Sequence, residues 1–448
     1  MKLYDTSLST IYENGRKLTL FSLAFPLFLE RISSGLISTT NTLLLSGYSE
    51  YAVTATGIVG QLTGLMDHFL IIPTIGMRIV LGMELGRNNK ETAVKTMGTA
   101  FWMILLTSLL FGFSLFFFSD TALDLMNLTG KVKEVATGYA KISFMLFFIS
   151  TLKSYFSVAL TCNGYTRHAA ISVVLAQVLN LVSGFYILYG NFNGSFNRMN
   201  ALAIRSAVSQ LISMLYVVLV LVKKECPLGF RFVKSQMLRI LKLGIPASIN
   251  GIGYGFGQTF TTSLVTGLGT NIINAKIYIS SIVTYVPYFS HSLGRATAIL
   301  MGRLRGREEQ EKENRLFWQS IRISAALNFT VSVLIFIFQK PLLGIFTEDP
   351  FIISLAGKIL LVDIFVQLAR ASTNIGDQSL TANGDVRVVS AVSLSACCGV
   401  TILFAWLFGV KCGWGLVGCW IAFLFEELYK SSLYMLRWKS GKWKNQAI

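Results

Sequence analysis

Charge is scarce in this chain: only 14% of its 448 residues are charged, against about 25% in a typical soluble domain. With 53% hydrophobic residues, that scarcity excludes a water-soluble globular protein, and the apolar content excludes a disordered one. Acidic residues are rarer still, 22 against 39 Lys and Arg, for a formal net charge of +17. In a soluble protein this excess points to nucleic acid. In a chain this apolar it points to basic loops at a membrane surface, and no nucleic-acid partner is expected. The six cysteines form no Cys-x-x-Cys pair and no Cys/His cluster, which gives no support to metal or redox chemistry. No Gly-x-x-x-x-Gly-Lys-Ser/Thr run occurs, so direct ATP coupling is not expected. Met1 to Lys17 is polar and lacks the short apolar core and small-residue cleavage site of a removable signal peptide.

What the chain has is long apolar runs. They recur at about 17–46, 52–83, 94–118, 137–162, 169–190 and 200–222, then at about 246–268, 273–301, 316–338, 354–382, 388–410 and 414–436. Each is long enough to cross a bilayer as a helix at roughly 1.5 Å per residue. None shows the alternating pattern of a membrane β-strand. The longest, 52–83 and 273–301, have length to bend or to protrude. The expectation is an all-α polytopic membrane protein of about twelve transmembrane helices.

Basic residues fix the orientation. Lys2, Arg16 and Lys17, then Arg87, Lys90 and Lys95, Arg167, the linker residues Lys223 to Lys242, Arg303 to Arg315, Arg387, and the tail from Arg437 to Lys444 all fall on one side of a twelve-span chain. The other side offers only Lys131, Lys133, Arg198, Lys340 and Lys411. This asymmetry places both termini and the middle linker in the cytoplasm. The organisation that follows is an N-terminal cytoplasmic segment (1–16), a six-helix lobe (17–222), a basic cytoplasmic linker (223–245), a second six-helix lobe (246–436) and a basic cytoplasmic tail (437–448).

The two lobes are repeats. Pro26 and Pro246 lie 220 positions apart, and the same offset relates Gly47 to Gly267, Ala55 to Ala275, Gly82 to Gly302, Gly86 to Gly306 and Glu91 to Glu311. It also relates Asn163-Gly164-x-x-Arg167 to Asn383-Gly384-x-x-Arg387. Six spans per repeat preserve orientation, so the lobes are parallel repeats with pseudo-two-fold symmetry about the membrane normal. Two such lobes facing one another would leave a cleft suited to alternating access.

Polar residues inside the spans need a reason, since an ionisable group at the bilayer centre costs roughly 2.5–3.5 kcal/mol on insertion scales. Glu30, Ser34, Ile37 and Asn41 share one helical face of the first span; their repeat partners are Asn250, Tyr254, Gly257 and Thr261, with Gln258 adjacent. The tenth span carries Asp363, Gln367, Arg370, Asn374, Asp377 or Gln378, and Thr381 as one stripe. These faces either line a hydrated cleft or hydrogen-bond within a lobe, with Asp363 and Arg370 neutralising one another. Asp67-His68 in the second span and His291 with Arg295 in the eighth are further candidates, because histidine titrates near neutrality. Lys153 and Arg205 are each expected to snorkel to an interface. The candidate cleft residues are therefore Glu30, Asn41, Asp67, Tyr254, Gln258, His291, Asp363, Arg370, Asn374 and Asp377.

Taken together the motifs resemble the multidrug and toxic compound extrusion (MATE) transporters, within the superfamily that also holds polysaccharide and lipid-linked flippases. The resemblance rests on Phe25-Pro26-Leu27-Phe28-Leu29-Glu30, Gly47 with Ala55-Thr56-Gly57, Gly82-Met83-Glu84-Leu85-Gly86, the two Asn-Gly-x-x-Arg turns, and Gly413-Trp414-Gly415 through Ala422. It implies a secondary exporter, not an enzyme, with no cofactor beyond a coupling proton or Na+. It also implies an amphipathic organic cation as substrate and the inner membrane of a prokaryote; membrane lipids are the expected surroundings, and a cleft within one chain points to monomeric action. Where many members carry coupling carboxylates in the first and seventh spans, this chain resembles them with Asn41 and Tyr254 in those places; near the usual tenth-span carboxylate stands Arg370. Glu30, Asp67, Asp363 and Asp377 are the carboxylates left for coupling. The alternative is a flippase or exporter of anionic or lipid-linked material, for which Arg31, Arg295 and Arg370 would hold phosphate or carboxylate headgroups.

Overall fold

The structure, a computed structural model, describes residues 10–13, 16–126, 130–190, 197–266, 270–344 and 347–445, without some side chains inside the helices. It opens on a short antiparallel hairpin, β1 (Thr10–Glu13) against β2 (Arg16–Thr19), that the apolar pattern did not indicate. An Asn-Gly dipeptide at 14–15, the favoured two-residue hairpin turn, stands between the strands. Thr19 then caps the first helix reciprocally: its backbone N–H donates to Ser22 Oγ at 2.9 Å, and the Ser22 N–H to Thr19 Oγ1 at 3.1 Å.

The first repeat runs through α1 (Leu20–Tyr48), α2 (Glu50–Gly86), α3 (Lys90–Phe117), α4 (Ser119–Leu125), α5 (Gly130–Met145), α6 (Phe147–Cys162), α7 (Thr166–Tyr189) and α8 (Arg198–Lys223). The second runs through α9 (Lys234–Thr266), α10 (Thr270–Val283), α11 (Val286–Gly306), α12 (Gln310–Ile337), α13 (Gln339–Gly344), α14 (Pro350–Ala382), α15 (Val386–Ser395), α16 (Ile402–Phe404) and α17 (Gly415–Lys439). Wide π-turns at Ala396–Thr401 and Ala405–Lys411 flank α16, so α15 to Lys411 is one interrupted passage. Seven described helices are long and apolar enough to cross a membrane, and eight if α5 and α6, bent by 44°, count as one span. Counting α1, α9, the α10–α11 pair and α17 as well, the chain makes twelve passages.

These helices are inside-out relative to soluble ones. On α3 the buried face is small, with Ala93, Gly98, Ala100, Ser108 and Gly112, while Leu106, Leu110, Phe113 and Phe117 stand exposed. Small residues let helix backbones approach and large apolar ones meet lipid. Gly98 shows how close that approach is: a Cβ there would lie 2.6 Å from the Arg231 carbonyl oxygen.

The repeat offset reappears as backbone geometry. After α6, Gly164 takes φ 80°, its N–H reaching Thr161 O and the Tyr165 N–H reaching Leu160 O; after α14, Gly384 takes φ 78° with Thr381 O and Leu380 O in the same roles. Both are Schellman turns, in which glycine supplies the left-handed residue. Asn163 and Asn383 each add a side-chain donor bond, to Ala159 O at 2.9 Å and Ser379 O at 3.0 Å. After α2 and α11 the left-handed residues are Asn88 (φ 58°) and Glu308 (φ 60°), again 220 positions apart.

The chain divides into two compact units, 29–244 and 1–28 with 245–448. In the first, cores form around Met77, Met97, Tyr155 and Ile240, and around Ala55, Phe144 and Leu202. The second holds one core of Leu20, Leu23, Leu293, Phe317, Tyr434, Trp438 and Trp443, and another of Ala275, Ile359, Leu416 and Trp420.

Candidate functional site

The polar stripe expected in the tenth span is the densest buried polar cluster described. It lies on α14 and is completed by α17, within the unit that holds residues 245–448. Asp363 is 3% exposed, and its carboxylate accepts from the Gln367 side-chain amide at 3.2 Å and from the Trp420 indole N–H at 3.1 Å. Both donors are neutral. Two turns along, Arg370 Nε donates to Glu427 Oε1 at 3.0 Å. Lys430 Nζ donates to Glu426 at 2.7 Å and to Glu427 at 3.3 Å, so Glu427 lies between two cations. The Thr373 hydroxyl donates to the Glu427 carbonyl at 3.2 Å, tying α14 to α17. The pairing within the stripe is joined by a second one: Arg370 lies within electrostatic reach of Asp363 and directs its Nε to Glu427, because three-and-four spacing on α17 brings three charged groups to the facing surface.

The same site extends to α11 and α12. Asn374 donates to Ser290 Oγ at 2.8 Å, and Asn328 donates to the Gln367 carbonyl at 3.1 Å. Gln367 Oε1 and Asn328 Oδ1 are both buried without a hydrogen-bond donor. His291, half-buried on α11, follows Ser290 directly. Asp377 accepts from the Thr381 hydroxyl at 3.2 Å and the Gln378 amide at 3.4 Å.

The remaining candidates are not gathered into this cluster. Glu30 and Asn41 are half-buried on α1 in the other unit, where Glu30 lies within electrostatic reach of Lys153 on α6. Asp67 is exposed on α2. The side chains of Tyr254 and Gln258, like that of His68, lie outside the described residues. Arg205, expected to snorkel, instead donates to the Asn180 carbonyl at 2.5 Å. Reading the stripe alone missed Glu426, Glu427 and Lys430. Their signal was in the sequence: two carboxylates and a lysine at three-and-four spacing inside an otherwise apolar last span. No group of three or more His, Cys, Asp or Glu side chains able to hold a metal ion occurs among the described residues.

The polytopic helical scaffold that carries this cluster has relatives. The family model MatE matches residues 26–186 and 246–407, one match per repeat. The chain belongs to the MatE family. It is therefore a membrane transporter and not an enzyme. It is 26% identical over 431 residues to the Bacillus subtilis protein named "Uncharacterized transporter YisQ", covering 95% of this chain and 94% of that one. It is 23% identical over 440 residues to a Thermotoga maritima "Probable multidrug resistance protein NorM", covering 96% and 93%. In three dimensions it matches a MOP superfamily transporter from Pyrococcus furiosus with TM-score 0.85 at 17% identity, covering 95% of this chain and 96% of that one. It matches equally an outward-facing multidrug resistance MATE family transporter, with TM-score 0.85 at 18% identity and the same coverage. These likenesses establish the all-helical, two-repeat MatE fold.

Proposed function

We propose that this MatE protein is a secondary active exporter of amphipathic organic, cationic solutes, driven by exchange for protons or sodium through alternating access of its two repeats. Multidrug resistance in the names of its relatives supports the substrate class. The observation that carries the coupling is local. Asp363 is a buried carboxylate hydrogen-bonded by neutral donors and within electrostatic reach of Arg370, beside two buried amide oxygens, on Gln367 and Asn328, that have no donor of their own. Buried negative charge and unmet acceptors are costly in a low-dielectric interior. A proton or Na+ on Asp363 would cancel that cost, and its release would restore it, so occupancy biases the repeat between conformations. Glu427, clamped by Arg370 and Lys430, already has its compensating charge and holds the wall of the site. With Asn41 and Tyr254 unable to act as carboxylates, Glu30, Asp67, Asp363 and Asp377 remain, and we assign coupling to Asp363 because it is the buried one of the four.

The test is transport in proteoliposomes under separately imposed pH and sodium gradients, with cationic and anionic substrates. Export of cations dependent on one gradient is expected, and Asp363→Asn should lower the gradient-dependent rate at least about tenfold, the loss of roughly 1.4 kcal/mol of coupling free energy. Transport of anionic substrates alone, indifferent to both gradients, would replace this reading with the flippase alternative.

A further inference from the structure

The other repeat contains a basic residue that the transport reading leaves unused. Arg205 sits on α8 seven residues inside Arg198, about 10 Å along the helix axis from that end. Its Nη1 donates to the Asn180 carbonyl, its Nε is buried without an acceptor, and no carboxylate forms an ion pair with it among the described residues. Gly184 on α7 makes the room: a Cβ there would lie 1.5 Å from Arg205 Nη1.

This guanidinium lines a cleft of about 420 Å³ between α7 and α8. Leu179, Ser183 and Ile187 form one wall, and Val208, Ser209 and Ile212 the other. The volume falls within the range of small-ligand sites, roughly 300–1,000 Å³. Val208 and Ile212 are 47% and 42% exposed, and Val182, Phe185 and Tyr186 beside them are more so, which puts the mouth on the lipid-facing surface. Apart from the guanidinium and two hydroxyls, the walls are apolar.

The fold does not require this arrangement, as the second repeat shows. The burial pattern of α8 from Met199 to Ser209 recurs on α17 from Leu416 to Glu426, a shift that sets Ala422 opposite Arg205 and Phe425 opposite Val208. There the groove is filled: Phe425 stacks on Phe404 with centroids 5.0 Å apart, and Phe408 stacks on Trp414 at 5.2 Å. One repeat closes its last hairpin with aromatic rings, and the other leaves an apolar cleft with a half-buried cation at its base.

We propose that the α7–α8 cleft is a binding site for one anionic phospholipid, its phosphodiester meeting Arg205 and its acyl chain lying along Val208 and Ile212. The guanidinium has the charge and the fork of N–H donors for a phosphate oxygen, and the walls match a hydrocarbon chain. Because the mouth faces lipid, the occupant arrives from within the bilayer, in the leaflet at the Arg198 end of the helix.

The test uses the full-length protein in nanodiscs of phosphatidylcholine containing a minor fraction of phosphatidylglycerol, with retained lipid counted by native mass spectrometry. The wild type should retain phosphatidylglycerol over phosphatidylcholine by about fivefold beyond their mixing ratio, the factor equivalent to roughly 1 kcal/mol per basic residue facing an anionic lipid. Arg205→Gln removes the charge, while Val208→Phe keeps it and fills the cleft with the residue that the second repeat has there. Both should lose the preference, with melting temperatures in phosphatidylcholine showing that each variant is folded; if Arg205→Gln does not fold, Val208→Phe decides alone. Undiminished preference in a folded variant overturns the proposal. So does stabilisation of wild type and Val208→Phe alike by inorganic phosphate in purely neutral nanodiscs, which would make Arg205 a site for a free anion.

Discussion

The two repeats share a backbone and differ in what they bury. Carried back by the repeat offset of 220, the α14 residues Asp363, Arg370, Asn374 and Asp377 fall on Ser143, Ser150, Ser154 and Ser157 of α5 and α6. Carried back along the last helix of each repeat, Glu426, Glu427 and Lys430 fall on Ser209, Gln210 and Ser213. A charged network on one side is a row of hydroxyls and one amide on the other, yet both end in the same Schellman turns. The ionic cluster is thus not a requirement of the fold. Buried ion pairs are weak stabilisers once their desolvation is counted, so the presence of this cluster at only one of the two equivalent places speaks for use rather than for architecture.

That contrast can be broken by mutation. The largest effect is expected for Glu427→Ala, which leaves the buried Arg370 without the carboxylate it binds. The cost should be about 3–5 kcal/mol, read as a lowered denaturation midpoint in detergent micelles. Trp420→Phe removes one donor from Asp363 while keeping the ring; about 1–3 kcal/mol is expected from a buried acceptor that loses its partner. The same substitution should change the gradient dependence of transport, whereas a purely structural indole would alter only the melting temperature. The smallest effect belongs to the serine row of the first repeat. Ser150→Ala, at the place of Arg370, loses only a hydroxyl bonded to the Phe147 carbonyl of its own helix, and a change within about 0.5 kcal/mol is expected. A loss there as large as that from Glu427→Ala would erase the distinction between the repeats.

Much of the architecture was legible because it depends on punctuation. Pro26 and Pro246, and the Asn-Gly turns after α6 and α14, mark equivalent backbone positions, and one constant spacing exposes the duplication. The bend at Leu146 between α5 and α6 had no such mark: neither Gly nor Pro stands there, and α14 passes straight through the equivalent Val366. The break before α11 had one, Pro287 in its first turn, but an apolar run on both sides concealed it. The π-turns near α16 follow from no local residue preference. At the site, α14 was readable because its polar residues fall on a single stripe. Its partner on α17 was obscured by surrounding aromatic and aliphatic residues, and only the helix pairing shows that the two faces meet.

The division of the chain has a consequence for its synthesis. Ile11, Leu18, Leu20 and Leu23 are buried in a core whose other members extend from Leu293 to Trp443, so the opening segment belongs with the closing one. At roughly 5–20 residues per second, the ribosome needs on the order of 20–80 s to travel between them. The first of those partners, on α11, include Phe289, which meets Phe28 edge-on at 5.5 Å, so until α11 emerges the first half of α1 and its hairpin lack the core they join. The second repeat is what lets the first helix finish folding.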